Sequence, residues 1–176
     1  MTVILLTGMP GSGKEEFLKI ASEEGYNIVR MGDVVRVYAK KNEIEKTDSG
    51  IGGFADRERG VRGEEIWAER TCEKIEGGEM VIDGVRSLAE VKMFRRMIGE
   101  DVIIIAVHAS PKTRFDRLKE RGREDAPQTW KQFQDRDNRE LEWGLGRVIA
   151  KADKMIVNEG TLDEFRSEIS EVLSSL

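Results

Sequence analysis

The sequence predicts an α/β fold, with a parallel sheet covered by helices on both faces. Three observations predict it: five short apolar, β-rich runs, helical periodicity between them, and polar or glycine residues gathered just after each run. The runs are Val3 to Thr7, Asn27 to Met31, Met80 to Asp83, Val102 to His108 and Met155 to Val157. Short buried strands separated by helices suit parallel pairing with no wet face. In such sheets the ligand crevice lies beyond the carboxyl ends of the strands. Those ends lead into Gly8 to Lys14, Gly32-Asp33, Asp83-Gly84, His108-Ala109-Ser110 and Asn158-Glu159-Gly160.

Between the strands, helices are predicted over about residues 13 to 24, 33 to 41, 58 to 76, 87 to 98, 111 to 121, 128 to 149 and 161 to 175. Ser110-Pro111 and Ala126-Pro127 mark two helix starts, and Thr161-Leu162-Asp163-Glu164 resembles a capping box. The stretch Lys46 to Gly60 holds Asp48-Ser49-Gly50 and Gly52-Gly53, so it reads as a mobile loop between the second and third strands. No repeat or low-complexity linker divides the 176 residues, which are predicted to form a single domain.

Composition narrows the function classes. Charged residues are 36% of the chain while the net charge is only −5, so neither sign dominates and a nucleic-acid-binding body is disfavoured. The single cysteine, Cys72, excludes an internal disulfide framework and a cysteine-cluster metal site, and its helical offset from Ile66 and Ile75 places it in the core. The sequence has no 18-residue apolar stretch, and Met1 to Leu6 reads as a strand without the basic flank of a signal peptide. A cytoplasmic protein with no membrane partner is expected; oligomeric state is left open.

The most specific signal is Gly8-Met9-Pro10-Gly11-Ser12-Gly13-Lys14, which reads G-x-x-x-x-G-K directly after the first strand. Glycines there permit backbone angles that turn several amides toward one anion, and Lys14 adds a mobile charge for the β and γ phosphates. Phe17, Leu18 and Ala21 follow at helical spacing, so strand, turn and helix form one phosphate-binding unit rather than a chance glycine-rich turn. Residues 8 to 15 are therefore the candidate ATP site. Its irregular member is Glu15, where a Ser or Thr normally ligates Mg²⁺. A carboxylate ligates a hard cation through oxygen, yet unpaired it would repel a triphosphate.

Two further strand ends carry an acid and, three residues on, an arginine: Asp33 with Arg36, and Asp83 with Arg86. Arg36 and Arg86 suit a forked clamp for a second phosphate-bearing molecule, with Asp33 beside them. Asp83 is placed to hold Mg²⁺ through water, with Glu15 as the other candidate ligand. The bland alternative is that Asp33 and Asp83 cap the helices that follow them. A third basic set, Arg114, Arg117 and Arg121, shares one helix face and continues to Arg123; Asp135, Arg136, Asp137 and Arg139 follow on the next helix. Such a helix, turn and helix is a candidate lid over about residues 114 to 139, with Arg117, Arg121 and Arg123 as its charge-stabilising set. His108, the only histidine, reads as a buried, hydrogen-bonded residue, and Trp67, Trp130 and Trp143 as packing residues.

In these segments the chain resembles the adenylate-kinase-type P-loop kinases. Gly8 to Lys14 is similar to their phosphate loop, Gly32-Asp33-Val34-Val35-Arg36 to their Gly-Asp-Met-Leu-Arg, and Val81-Ile82-Asp83-Gly84-Val85-Arg86 to their Leu-Asp-Gly-Phe-Pro-Arg. Arg117 to Arg123 is similar to the entry of their lid. The openings at Leu5 to Glu16 and Met31 to Arg36 resemble archaeal proteins related to adenylate kinase and dephospho-CoA kinase. The resemblance implies a sheet order of 2-3-1-4-5, an acceptor-binding insertion over about 33 to 76, and transfer of the ATP γ-phosphoryl group with Mg²⁺. It implies a small phosphate acceptor, a nucleoside monophosphate, held by Arg36 and Arg86. Glu15, Glu16, Val85 and the abbreviated lid depart from that pattern. A dephospho-CoA-type hydroxyl acceptor, with Asp33 as base, and a nucleotide-binding regulator with weak ATPase activity are the alternatives.

Overall fold

A computed structural model of the chain describes residues 2–75, 77–99, 101–122 and 126–176. In chain order the elements are β1 (Val3–Thr7), α1 (Lys14–Glu23), β2 (Asn27–Arg30), α2 (Met31–Lys41), α3 (Asp48–Arg62), α4 (Ile66–Cys72) and β3 (Met80–Asp83). Then come α5 (Leu88–Ile98), β4 (Val102–His108), α6 (Pro111–Glu120), α7 (Trp130–Glu142), α8 (Leu145–Ile149), β5 (Lys154–Val157) and α9 (Leu162–Ser174). All strand pairs are parallel, in the order β2-β3-β1-β4-β5, as the resemblance implies.

All five residues of β1 are buried, which puts it at the centre and fixes the loop after it over the middle of the sheet. Strand alternation splits the core into two layers. Val3 and Leu5 join Ile82, Ile104, Phe94 and Trp67 beneath α2 to α5 and α8. Ile4 and Leu6 join Ile105, Val107, Phe17 and Phe165 beneath α1 and α9. Reciprocal capping boxes start α5 (Ser87, Glu90), α7 (Thr129, Gln132) and α9 (Thr161, Glu164).

The structure corrects four expectations. Residues 46 to 60 are not a loop, because most of them lie in α3. Thr47 accepts from the Gly50 N–H at 3.0 Å to cap that helix, and Phe54 and Ala55 bury against the Trp67 layer. Tertiary burial overrides the helix-weakening effect of its glycines. Gly63 and Gly144 divide what read as two long helices, giving α3 and α4 in one case and α7 and α8 in the other. The start marked by Ala126-Pro127 lies later, at the Thr129 cap. His108 is exposed rather than buried, because β4 ends where the sheet meets solvent.

Candidate functional site

The loop between β1 and α1 is shaped by close approach of backbone. A Cβ on Gly8 would lie 2.3 Å from the Val107 carbonyl oxygen, and one on Gly13 would lie 2.3 Å from Asn158 Nδ2. Gly13 also caps α1 with φ 114°, a conformation other residues resist. The helix therefore starts with its first amides facing the loop, where an anion gains from the unpaired N–H groups and the axis dipole. Lys14 curls back so that Nζ donates to the Gly8 carbonyl at 2.6 Å. Burial pulls its ammonium below the ordinary lysine value, with Asp83 the main charge opposing that fall. Met9 and Ser12 are buried supports, and the Ser12 hydroxyl has no hydrogen-bond partner among the described residues.

Distant segments brace this loop from behind. Arg114 is nearly buried and donates to the Pro10 and Ala109 carbonyls, each at 3.1 Å, and to both oxygens of Asp137 at 2.9 and 2.6 Å. One guanidinium thus joins the phosphate loop, the segment just after β4 and the helix α7. Asn158 donates from Nδ2 to the Ser12 carbonyl at 2.9 Å, and Arg117 donates to the Asn158 backbone and side-chain oxygens at 3.1 and 3.3 Å. Arg117 is therefore held against the β5 end, whereas Arg121 lines the phosphate cavity. Arg123 lies outside the described residues. Glu159 accepts from the Ser110 N–H and, at 2.8 Å, from the Thr113 hydroxyl, locking that strand end to the start of α6.

In front of the loop is a cavity of about 190 Å³. Gly8, Pro10, Gly11, Gly13, Lys14 and Glu15 form one wall, and Arg36, Asp83, Arg86 and Arg121 converge on it from three other segments. Glu15 is not left alone, since Arg30 Nη2 donates to its Oε2 at 3.1 Å. Asp83 lies opposite Arg30 in the sheet register. Its Oδ1 is buried with no hydrogen-bond partner among the described residues, and burial raises its carboxyl above the usual range against the pull of Lys14 and Arg86. Neither aspartate caps a helix: Ser87 caps α5, and Asp33 sits in the first turn of α2.

A second, larger cavity of about 1220 Å³ lies between α2, α3 and α7 and is lined by Asp33. Gly32, Arg36, Arg86, Arg136 and Glu140 line both cavities, so the two adjoin. Arg36 is exposed and donates to Asp33 Oδ1 at 2.5 Å. Arg86 donates from Nε to Glu140 Oε2 at 2.7 Å and from Nη1 to the Gly84 carbonyl at 3.0 Å. Burial works against its charge, but Glu140 and Glu90 outweigh burial and hold it above the ordinary value. Sequence reasoning missed Arg30, Arg59, Glu90 and Glu140. Arg30 alone had a local signal, a charge at the end of a strand beside Gly32-Asp33; the other three come together only through the packing of α3, α5 and α7.

The site also fits a hard cation in one respect and not in another. Among the described residues no group of three or more His, Cys, Asp or Glu side chains could hold a metal ion by itself. The orphaned Asp83 Oδ1 and the nearby Glu15 carboxylate instead suit a Mg²⁺ ion carried mainly by phosphate oxygens and water. Among the described residues no helix is long and apolar enough to cross a membrane.

Comparison with known proteins agrees with this geometry. A family model described as an AAA domain matches residues 4–143. The chain is 46% identical to a UPF0200 protein of Thermoplasma volcanium, over 93% of this chain and 91% of that one. It is 46% identical to a UPF0200 protein of Hyperthermus butylicus, covering 99% and 94%, and 44% identical to one of Pyrococcus horikoshii, covering 99% and 97%. A crystal structure of TT1252 from Thermus thermophilus superposes with a TM-score of 0.65 over 99% of this chain and 97% of that one. At 17% identity the last likeness concerns the fold alone.

Proposed function

The chain belongs to the AAA-domain P-loop family, and from that premise we propose that it is a kinase moving the γ-phosphoryl group of ATP to a nucleoside monophosphate. One observation carries the reading. The phosphate-loop cavity and the larger groove share Arg36 and Arg86 as common walls, which is where a transferred group would pass from donor to acceptor.

In this reading the amides of residues 8 to 15 and Lys14 hold the β and γ phosphates, Arg121 with Arg123 offsets charge that spreads over the γ oxygens, and Arg117 steadies the β5 end behind the loop. Asp83 and Glu15 would hold Mg²⁺, which when bound neutralises the β and γ oxygens. Arg36 and Arg86 release Asp33 and Glu140 to grip the acceptor phosphate. An oxygen of that phosphate bonds to the γ phosphorus while the bond to the β–γ bridging oxygen breaks, leaving ADP and a nucleoside diphosphate. The acceptor phosphate is already largely ionised near neutral pH, so no side chain need remove a proton. Catalysis is then mostly positional.

A hydroxyl acceptor is the second reading, favoured by Asp33 lining the acceptor groove. A nucleotide-binding regulator with weak ATPase activity is the third, favoured by Glu15. Incubation with Mg-ATP and a panel of nucleoside monophosphates, dephospho-CoA or no acceptor, following ADP, separates them. ADP release that requires a monophosphate supports the kinase; acceptor-independent release supports the regulator.

A further inference from the structure

Arg59 of α3 has only 8% of its surface exposed, yet most of its hydrogen-bonding capacity is idle. Its Nη2 reaches Glu90 Oε1 at 3.3 Å, long for an ion pair, and Glu90 already accepts from the Arg86 and Ser87 N–H groups at 2.6 and 3.2 Å. Among the described residues Arg59 Nε and Nη1 are buried without a hydrogen-bond partner. Buried guanidinium donors without partners are rare, because desolvation is then uncompensated. Burial accordingly pulls Arg59 below the ordinary arginine value, partly offset by Glu90.

The surroundings make this a place for an anion rather than a packing accident. Arg59 and Arg139 lie over the Trp143 ring at 4.5 and 5.8 Å, and both line the large groove but not the phosphate-loop cavity. Lysines and arginines outnumber carboxylates more than two to one along that groove, beside an apolar strip of Val35, Ile44, Ile51 and Ala55. Its volume of about 1220 Å³ exceeds the roughly 300–1,000 Å³ usual for a pocket holding one small molecule. A nucleoside monophosphate has one anionic group, which Arg36 and Arg86 already serve.

We infer that the acceptor is a nucleotide carrying a second anionic group, remote from the one that receives the γ-phosphoryl group, and that Arg59 and Arg139 beside Trp143 hold it. The apolar strip accommodates the nucleoside between the two anions. The inference rests on the kinase reading above and narrows its acceptor. The second anion is a terminal phosphate or a phosphodiester, chemistry that one pair of arginines recognises in the same way.

Calorimetry on the full chain with AMP, adenosine 3′,5′-bisphosphate and the 5′-phosphorylated dinucleotide of adenosine tests it, with the matching uridine compounds guarding against a base preference. The bisphosphate should bind at least about tenfold tighter than AMP, a difference of ~1.4 kcal/mol. A matching gain for the dinucleotide assigns a phosphodiester; a gain for the bisphosphate alone assigns a terminal phosphate. Arg59→Gln should collapse the ratio between bisphosphate and monophosphate, and Arg59→Lys should restore part of it. Should Arg59→Gln fail to fold, the comparison within the unmodified chain still decides. Equal affinities there, or an undiminished ratio in Arg59→Gln, overturn the inference while leaving the kinase reading in place. No binding of any of these nucleotides, with ATP still bound, overturns both.

Discussion

Arg30 Nη2 donates to Glu15 Oε2 at 3.1 Å across the mouth of the phosphate loop. Glu15 occupies the position where a hydroxyl would be ordinary, and an isolated carboxylate there would push a polyphosphate away. Arg30 answers that repulsion from the end of β2. Both side chains are about two-fifths exposed or more, at 39% and 46%, so the pair itself adds little to stability and its value lies in local charge balance.

Removing only the arginine should therefore expose the repulsion. Arg30→Gln is expected to weaken binding of ATP without Mg²⁺ about tenfold, or ~1.4 kcal/mol, and Glu15→Gln in the same chain should return most of that loss. Calorimetric titration of both variants checks it. A double variant no better than the single one would show that the two charges are not coupled.

Asp83 gives a prediction with opposite signs for stability and turnover. Its raised pKa means that the folded chain takes up a proton there before the unfolded chain does. Its unfavourable contribution is thus greatest above the raised pKa and is relieved as pH falls through it toward 3.8. Asp83→Asn should raise the melting temperature of the nucleotide-free protein at pH 7 by about 2–4 °C. That gap should narrow as pH falls, while phosphoryl transfer drops at least about a hundredfold. Melting curves across pH, paired with turnover, test both halves; a lower melting temperature at every pH would contradict the account.

Arg114 and Asp137 form the brace that ties the phosphate loop to α7. Breaking a nearly buried two-bonded pair from one side leaves an uncompensated charge, so Asp137→Asn and Arg114→Met should each destabilise the fold by about 3 kcal/mol. Arg114→Lys should not rescue, because an ammonium cannot reproduce the planar fork. Urea unfolding of the three variants measures it.

Asp33→Asn discriminates between acceptor classes. A phosphate acceptor needs no base, so this variant should retain turnover within a few-fold and leave Arg36 free for the acceptor. A hydroxyl acceptor would lose about 10²–10⁴ in kcat with its base. Steady-state rates with the best acceptor of each class decide between them.

The fold was largely legible in the sequence because buried parallel strands and a glycine-rich turn are local signals. Continuous apolar runs located β1 to β5 to within a residue at their ends, and Thr161 with Glu164 marked the start of α9. Helix α3 was not legible: its four helix-weakening glycines, Gly50, Gly52, Gly53 and Gly60, dominate the local reading, and only the burial of Phe54 and Ala55 against Trp67 explains its form. The same asymmetry holds at the site. Spacing brought out Lys14, Asp83, Arg86 and Arg121, which converge on one cavity. It was silent on Glu140 and Glu90, which restrain Arg86, because the contact between Arg86 and Glu140 joins residues 54 positions apart. Helical spacing also grouped Arg117 with Arg121, yet the fold sends Arg117 to Asn158 and Arg121 to the phosphate cavity.

Phosphorus NMR of the full chain with Mg-ATP and a nucleoside monophosphate tests the central claim most directly, because it follows the γ-phosphorus itself. The account predicts that the γ signal is replaced by the terminal-phosphate signal of a nucleoside diphosphate formed from the acceptor, in step with ADP and without free phosphate, and that Lys14→Ala abolishes the change. Inorganic phosphate appearing at the same rate with and without acceptor, or transfer that survives Lys14→Ala, would contradict it.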